Sequence, residues 1–306
     1  MHLEVVSQIP GNRELAELTL EWIAGARDLV FPGFDAALKD GLVPFDPPDP
    51  PGGRWMLRPP VALSARIYIQ QHPDLRLGRR SKYTPRSWQR LADGLADAYP
   101  YAVSVLVGGV DELGENAGHG TSVRFTVRRQ SAAPDVVRFE ADIGAEFAPW
   151  RGLAGVQLDR ASFIRDWTAR VGACYGHVTD DANSWGTALE HKTGQPSWET
   201  VPRCRDALRG YSWVTVCPGE LVGRLGGAGA IAASGAFTEV TEVAGGSVFL
   251  RATPTLDEYG DTAVRRVFEV LAPVLLPGRV EAPLPGEWIG RIVTGVDAAD
   301  YQKDRD

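Results

Sequence analysis

The residues best suited to chemistry in this sequence are Cys174 and His177, which stand three positions apart. A cysteine and a histidine can supply a thiolate nucleophile and its base, although such pairs usually meet through the fold and not through adjacency in the chain. A small enzyme or a small-molecule binder that uses Cys174 and His177, with Asp180 or Asp181 as the carboxylate, is therefore the alternative function that we carry forward.

The same residue types can bind zinc, but their spacing disfavours it. Structural zinc sites usually take ligands in pairs that are about two to four residues apart. Neither Cys204 nor Cys217 has such a neighbour. The sequence predicts no metal centre and no cofactor.

The glycine-rich segment 223–230 has the composition of a phosphate-binding loop but the wrong context. In a dinucleotide-binding fold the glycines lie between a strand and the helix that they open. Here Pro218 is placed to open a helix directly after a strand, so Gly226 and Gly227 are expected to end that helix. Neither G-x-S-x-G nor a P-loop is present, and no catalytic residue is predicted.

The net charge and the number of cysteines limit which classes of binding partner and which cellular compartment are expected. Thirty-two basic residues against 39 acidic residues give a net charge of −7, which argues against nucleic acid and anionic membranes and favours a basic partner. Three cysteines are too few and too irregularly spaced for a disulfide framework, and no stretch has the length and apolarity of a membrane span. Without a signal-peptide pattern at the start, a cytoplasmic protein with reduced thiols is expected.

The segment that organises the second half of the chain is 209–227, R-G-Y-S-W-V-T-V-C-P-G-E-L-V-G-R-L-G-G. Its first part alternates β-branched, aromatic and small residues, which predicts a strand buried on both faces. Pro218 then stops the strand and starts a short helix. We expect Trp213 to be buried, Cys217 to be a small core residue, and Gly226 or Gly227 to adopt positive φ.

The remaining elements predict an α+β fold with mainly antiparallel sheets and helices packed on one face. Two units are expected, 1–150 and 151–306, which resemble each other in their pairing of helices with hairpins. The proline-rich segment 44–60 is expected to be a linker or a stiff arm. The basic residues between Arg76 and Lys82 are expected to form a solvated loop.

Three pieces of the second unit together resemble a known family. They are L-R-G-Y-S-W-V-T-V-C-P-G-E-L-V-G-R-L-G-G, the later L-R-A-T-P-T-L-D-E-Y-G-D, and a helix that ends L-A-P-V-L-L-P. This pattern, over about 158–278, resembles the immunity proteins of bacterial polymorphic and type VI secretion toxin systems. In that family these elements mark the fold, so the resemblance transfers no catalytic residue.

The resemblance implies a non-catalytic toxin inhibitor. Such a protein would bind a cognate toxin and occlude its active site through protein–protein contacts, and an acidic surface would speed the capture of a basic toxin. Exposure and residue type single out five candidate contact residues: Trp55, Asp180, Asp181, Trp198 and Glu199.

Overall fold

The structure is a computed structural model that describes residues 1–45, 60–74, 78–113, 115, 122–144, 151–181, 186–282 and 290–302. The chain forms two compact units. The N-terminal unit is Ile9–Trp150, and the C-terminal unit combines Met1–Gln8 with Arg151–Asp306. The first eight residues, which the sequence places in the first unit, thus belong to the second.

The strands, numbered along the chain, are β1 (His2–Gln8), β2 (Leu42–Pro44), β3 (Ala62–Gln70), β4 (Arg79–Lys82), β5 (Ala102–Val110), β6 (Ser122–Arg129), β7 (Val136–Ile143), β8 (Tyr175–Thr179), β9 (Val214–Cys217), β10 (Glu239–Glu242) and β11 (Val248–Arg251). The helices are α1 (Asn12–Val30), α2 (Phe34–Ala37), α3 (Pro85–Leu95), α4 (Ala154–Val171), α5 (Ala188–Thr193), α6 (Ser197–Thr200), α7 (Gly219–Arg224), α8 (Gly227–Ala233) and α9 (Asp261–Leu271). The predicted α+β class with antiparallel sheets is confirmed.

The N-terminal unit is an antiparallel sheet in the order β7-β6-β5-β3-β2, with β4 also paired to β3. Alternate side chains of β3, including Leu63, Ala65 and Ile67, are buried, as the period of two in the sequence predicts. Helix α1 packs on β5, β6 and β7, where Trp22 contacts Phe139. One face of this sheet is therefore covered by a helix.

The prediction of a solvated loop for the basic segment after β3 is wrong, because four of its residues form β4. The backbone from Arg79 to Lys82 pairs with β3 while all four side chains remain exposed. The pair Thr84 and Pro85 predicts the start of a helix, and α3 begins at Pro85. Thr84 caps it, accepting a hydrogen bond from the Ser87 amide at 3.1 Å, and Pro85 occupies the first turn.

The C-terminal unit contains the antiparallel order β10-β11-β9-β8-β1. Helix α4 packs on β1 and β8, and Ser7 of β1 donates a hydrogen bond to the Val171 carbonyl of that helix. Because side chains alternate along a strand, Leu3 and Val5 share this face, whereas His2 and Glu4 lie on the other. Strand β1 is thus buried on both faces.

The segment 209–227 largely follows its prediction. Strand β9 ends at Cys217, Pro218 caps α7, and Gly226 and Gly227 have φ of 87° and 89°. The strand is shorter than predicted, and Gly227 also begins α8.

Three other boundaries differ from prediction. The sequence pattern predicts that Asp159 caps a helix, but Asp159 lies inside α4. It also predicts that Asp257 or Asp261 caps the last helix, but Gly260 precedes α9. The sequence further predicts a final strand through Trp288, Ile289, Ile292 and Val293. Positions 288–289 lie outside the described residues, and 290–302 contains no strand. None of the helices in the described ranges has the length and apolarity needed to cross a membrane.

We expect Trp213→Ala to destabilise the protein by about 3–5 kcal/mol, because it leaves a large cavity in the core. Trp213 is fully buried, and its indole N–H donates to the Thr253 carbonyl at 3.0 Å. Urea unfolding measures the change. Trp198→Ala is the matched control, since that side chain is 64% exposed and its loss should cost less than about 0.5 kcal/mol. Equal losses in the two variants would contradict this account.

Candidate functional site

Cys174, the cysteine considered for thiol chemistry, is bonded to a second cysteine. Cys174 and Cys204 form a disulfide with their Cα atoms 5.9 Å apart, and both are buried. The expectation of reduced thiols is therefore wrong for this pair. Cys217 is a free, buried thiol, as predicted, and burial raises its pKa to about 12. It is therefore protonated at neutral pH and is a poor nucleophile.

Cys174 and His177 have different surroundings. Cys174 lies at a bend directly before β8, where its amide donates to the Val6 carbonyl, whereas His177 lies inside the strand. His177 is buried and shares a 2.9 Å hydrogen bond, through Nδ1, with the Tyr175 hydroxyl. The arrangement gives no support to a Cys174–His177 pair.

Arg209 is the centre of a buried ion-pair network on the face of β1 and β8 opposite α4. Its guanidinium contacts Glu4 and, at 2.8 and 3.1 Å, both carboxylate oxygens of Glu190. It also lies 4.9 Å from the centre of the Tyr175 ring. Burial alone would lower the pKa of Arg209, but the two carboxylates outweigh burial and raise it. The charge of Arg209 is therefore matched inside the core.

His2, Glu4 and His177 are the described residues that could hold a metal ion. Their ligand atoms lie within 4.8 Å of one another, because Glu4 pairs directly with His177 across β1 and β8. Two histidines and one carboxylate are a common set for zinc or iron. Glu4 also carries the contact with Arg209, which places a fixed positive charge beside this set. No sequence spacing indicated it, since His2 and His177 meet only through the sheet.

The same network supports the segment that carries Trp198. Glu190 accepts a hydrogen bond from the Thr200 hydroxyl at the end of α6, and Val201 is fully buried. Three residues further on, Cys204 is anchored by its disulfide to Cys174. On the other side, the Gln195 side chain donates to the Pro277 carbonyl at 2.6 Å. Short helix α6 is thus attached to other parts of the C-terminal unit on both sides, to the core through Thr200 and Cys204 and to the surface at Pro277.

Trp198 and Glu199 project from this attached segment into solvent. Trp198 is 64% exposed, and Glu199 is also exposed. We call α6, Ser197–Thr200, the Trp198 knob. A large aromatic side chain at the surface of a rigid segment can enter a partner's pocket with little loss of conformational entropy.

The other predicted contact residues lie elsewhere. Asp180 and Asp181, expected to be exposed, are held by Arg291: its guanidinium lies 3.0 Å from Asp180, and its amide donates to Asp181 at 3.1 Å. Both aspartate side chains are largely buried, so the expected exposure is wrong. Burial raises the pKa of Asp181, against the opposing effect of the Arg291 amide. Trp55 lies outside the described residues.

Comparison with known proteins gives one informative similarity. No family model matches the chain, and no curated protein matches it. A solved structure of the Pseudomonas aeruginosa T6SS protein PA0821 is similar, with a TM-score of 0.55 and 14% sequence identity. The similarity covers 98% of this chain and 80% of that one. At this identity the two proteins share a fold, and the comparison goes no further.

We expect Arg209→Met to cost about 3–5 kcal/mol of unfolding free energy, because it leaves Glu4 and Glu190 buried without a counter-charge. Chemical denaturation at neutral pH measures the loss. Arg203→Met, at an exposed arginine, is the control. Adding Glu4→Gln and Glu190→Gln to Arg209→Met should recover part of the stability. A loss below about 1 kcal/mol for Arg209→Met would contradict the role given to the network.

Asp181→Asn should stabilise the protein at pH 7. The raised pKa of Asp181 means that its ionisation is less favourable in the folded than in the unfolded state, so stability falls as pH rises through the folded pKa. Asparagine removes this cost and still offers an oxygen to the Arg291 amide. Below the unfolded pKa of about 4, aspartate is protonated in both states and the advantage should vanish. Denaturant unfolding across this pH range checks both parts, and an advantage that grows towards low pH would refute them.

Proposed function

We propose that this protein is a non-catalytic immunity protein that binds a cognate toxin and occludes the toxin's active site. The observation that carries the proposal is the Trp198 knob, an exposed tryptophan on a segment fixed to the core by a disulfide and by hydrogen bonds. The sequence resemblance of about 158–278 to toxin-immunity proteins, and the fold shared with a T6SS protein, point in the same direction.

The energetics of protein interfaces favour this surface as the contact. Tryptophan is enriched among the few residues that supply most of the binding energy, and such residues act best when they are already held in position. Trp198 meets both conditions. Exposed polar neighbours such as Glu199 would form the rim around it.

A basic toxin is the partner that we propose on grounds of charge. The net charge of −7 and the carboxylate of Glu199 within the knob would accelerate the encounter with a positively charged surface. This steering depends on ionic strength, so association should slow as salt is added while dissociation changes little.

The cytoplasmic location stays a prediction, and the disulfide weighs against it. Disulfides persist in oxidising compartments and are rare where thiol reductants are abundant. Cys174–Cys204 closes a loop of 30 residues, which should contribute about 2–4 kcal/mol to stability when oxidised. We therefore propose that the toxin is met where this bond is intact.

Trp198→Ala should weaken the complex with the toxin at least about 30-fold, the effect of losing about 2 kcal/mol at an interface hot spot. The product of the neighbouring reading frame is the first partner to test, by co-purification and then by titration calorimetry. Leu113→Ala is the control, because Leu113 is 67% exposed but belongs to the N-terminal unit. It should bind like the unmodified protein.

Two outcomes would count against these proposals in different ways. A tight complex that survives Trp198→Ala would show that another surface makes the contact. Failure to bind or neutralise any toxin encoded beside the gene would refute the immunity function itself.

A further inference from the structure

The face of the N-terminal sheet opposite α1 carries a polar cavity where β3, β4, β5 and β6 lie side by side. Tyr68 of β3 lies opposite Arg80 of β4 on one side and opposite Ser104 of β5 on the other. On the adjacent strand β6, the partner of Ser104 is Thr126. Arg124 lies two positions before Thr126 and therefore on the same face. These side chains alternate with the buried ones that pack on α1, so they are directed away from the core.

The cavity has the size of a small-molecule site. Typical ligand pockets have volumes of about 300–1,000 Å³. The volume of this cavity is ≈ 500 Å³. The described residues that line it are Tyr68, Gln70, Gly78, Arg80, Ala102, Ser104 and Arg124.

Two arginines give the cavity its charge. Arg80 and Arg124 are exposed, and neither forms an ion pair with any carboxylate in the described part of the chain. The nearby carboxylate of Glu140 is instead taken by Arg128 and Arg138, at 2.7 and 2.8 Å. Both cavity guanidiniums therefore keep their hydrogen-bond donors for a ligand.

The backbone at the mouth of the cavity requires glycine. A Cβ at Gly78 would lie 2.6 Å from the Ile69 carbonyl oxygen, which is closer than real Cβ contacts allow. This close approach brings the start of β4, and with it Arg80, against β3 beside Gln70. A larger residue at position 78 would push the arginine strand away from the cavity.

We propose that this cavity binds a nucleoside phosphate. Guanidinium groups bind phosphate oxygens through two parallel hydrogen bonds, which suits Arg80 and Arg124 to the phosphate. The Tyr68 ring offers a flat surface for a base, and the side chains of Gln70 and Ser104 supply hydrogen bonds to its edge or to the sugar.

Charge favours a small phosphate ester over a nucleic acid. A long polyanion would be repelled by the net charge of −7 of the whole protein. A mononucleotide interacts mainly with charges within about 8 Å at physiological salt. Arg80 and Arg124 line the cavity and so lie within that range. The cavity is in the other unit from the Trp198 knob, so this proposal is independent of toxin binding.

Calorimetric titration of the full chain with AMP tests the proposal. We expect a dissociation constant on the order of 10 µM for a ligand of this size, and at least about tenfold weaker binding of adenosine, which lacks the phosphate. Arg80→Gln and Arg124→Gln should each weaken AMP binding at least about tenfold. Arg86→Gln, at an exposed arginine in the first turn of α3, should leave it unchanged.

The outcomes separate clearly. Unchanged thermal unfolding in the two cavity variants, together with lost AMP binding, would support the site. Equal affinity for AMP and adenosine, or AMP binding that survives both substitutions, would overturn it. Binding of pyrophosphate without AMP would overturn the assignment of a nucleoside, and preferential binding of an RNA oligonucleotide would overturn the choice of a small ligand. The Trp198→Ala variant should bind AMP with the affinity of the unmodified protein.

Discussion

The charge of Arg209 is the constraint on which the C-terminal unit depends. A buried guanidinium is tolerated only when carboxylates match it, and here Glu4 comes from the first strand while Glu190 comes from α5. Glu190 also accepts hydrogen bonds from the Thr187 amide at 2.6 Å and from the Thr200 hydroxyl. One ion-pair network therefore connects the chain's first strand, a helix cap and the base of the Trp198 knob.

This arrangement separates the groups that could do chemistry from the groups that can reach a partner. Histidines, a thiol and carboxylates are present, but His2, His177 and Cys217 are buried and Cys174 is bonded to Cys204. The exposed features are of other kinds: a tryptophan on a fixed segment in one unit and a pair of arginines around a cavity in the other. Both are suited to recognition, in one case of a protein surface and in the other of a small anion.

Local signals in the sequence were enough for much of the fold. Alternation revealed β3, Thr84 and Pro85 revealed the start of α3, and paired glycines revealed the positive φ that ends α7. What depends on distant partners could not be predicted. Strand β1 is buried on both faces, but its polar residues His2 and Glu4 do not have the composition of a buried strand. Their partners lie about 170 to 200 residues further along the chain. The disulfide and the burial of Asp181 by Arg291 were hidden for the same reason. Of the predicted contact residues, Trp198 and Glu199 are exposed as expected.

The discontinuous C-terminal unit has a consequence for synthesis. Strand β1 is synthesised before its partner β8, which is 169 to 177 residues away in the chain. At about 5–20 residues per second, the first strand waits roughly 10–35 s with an unpaired edge and an unmatched Glu4. The N-terminal unit can fold during that interval and bring the two ends of its own sequence closer together than a flexible loop would. The inserted unit is thus placed to act as a folding spacer for the strand that precedes it.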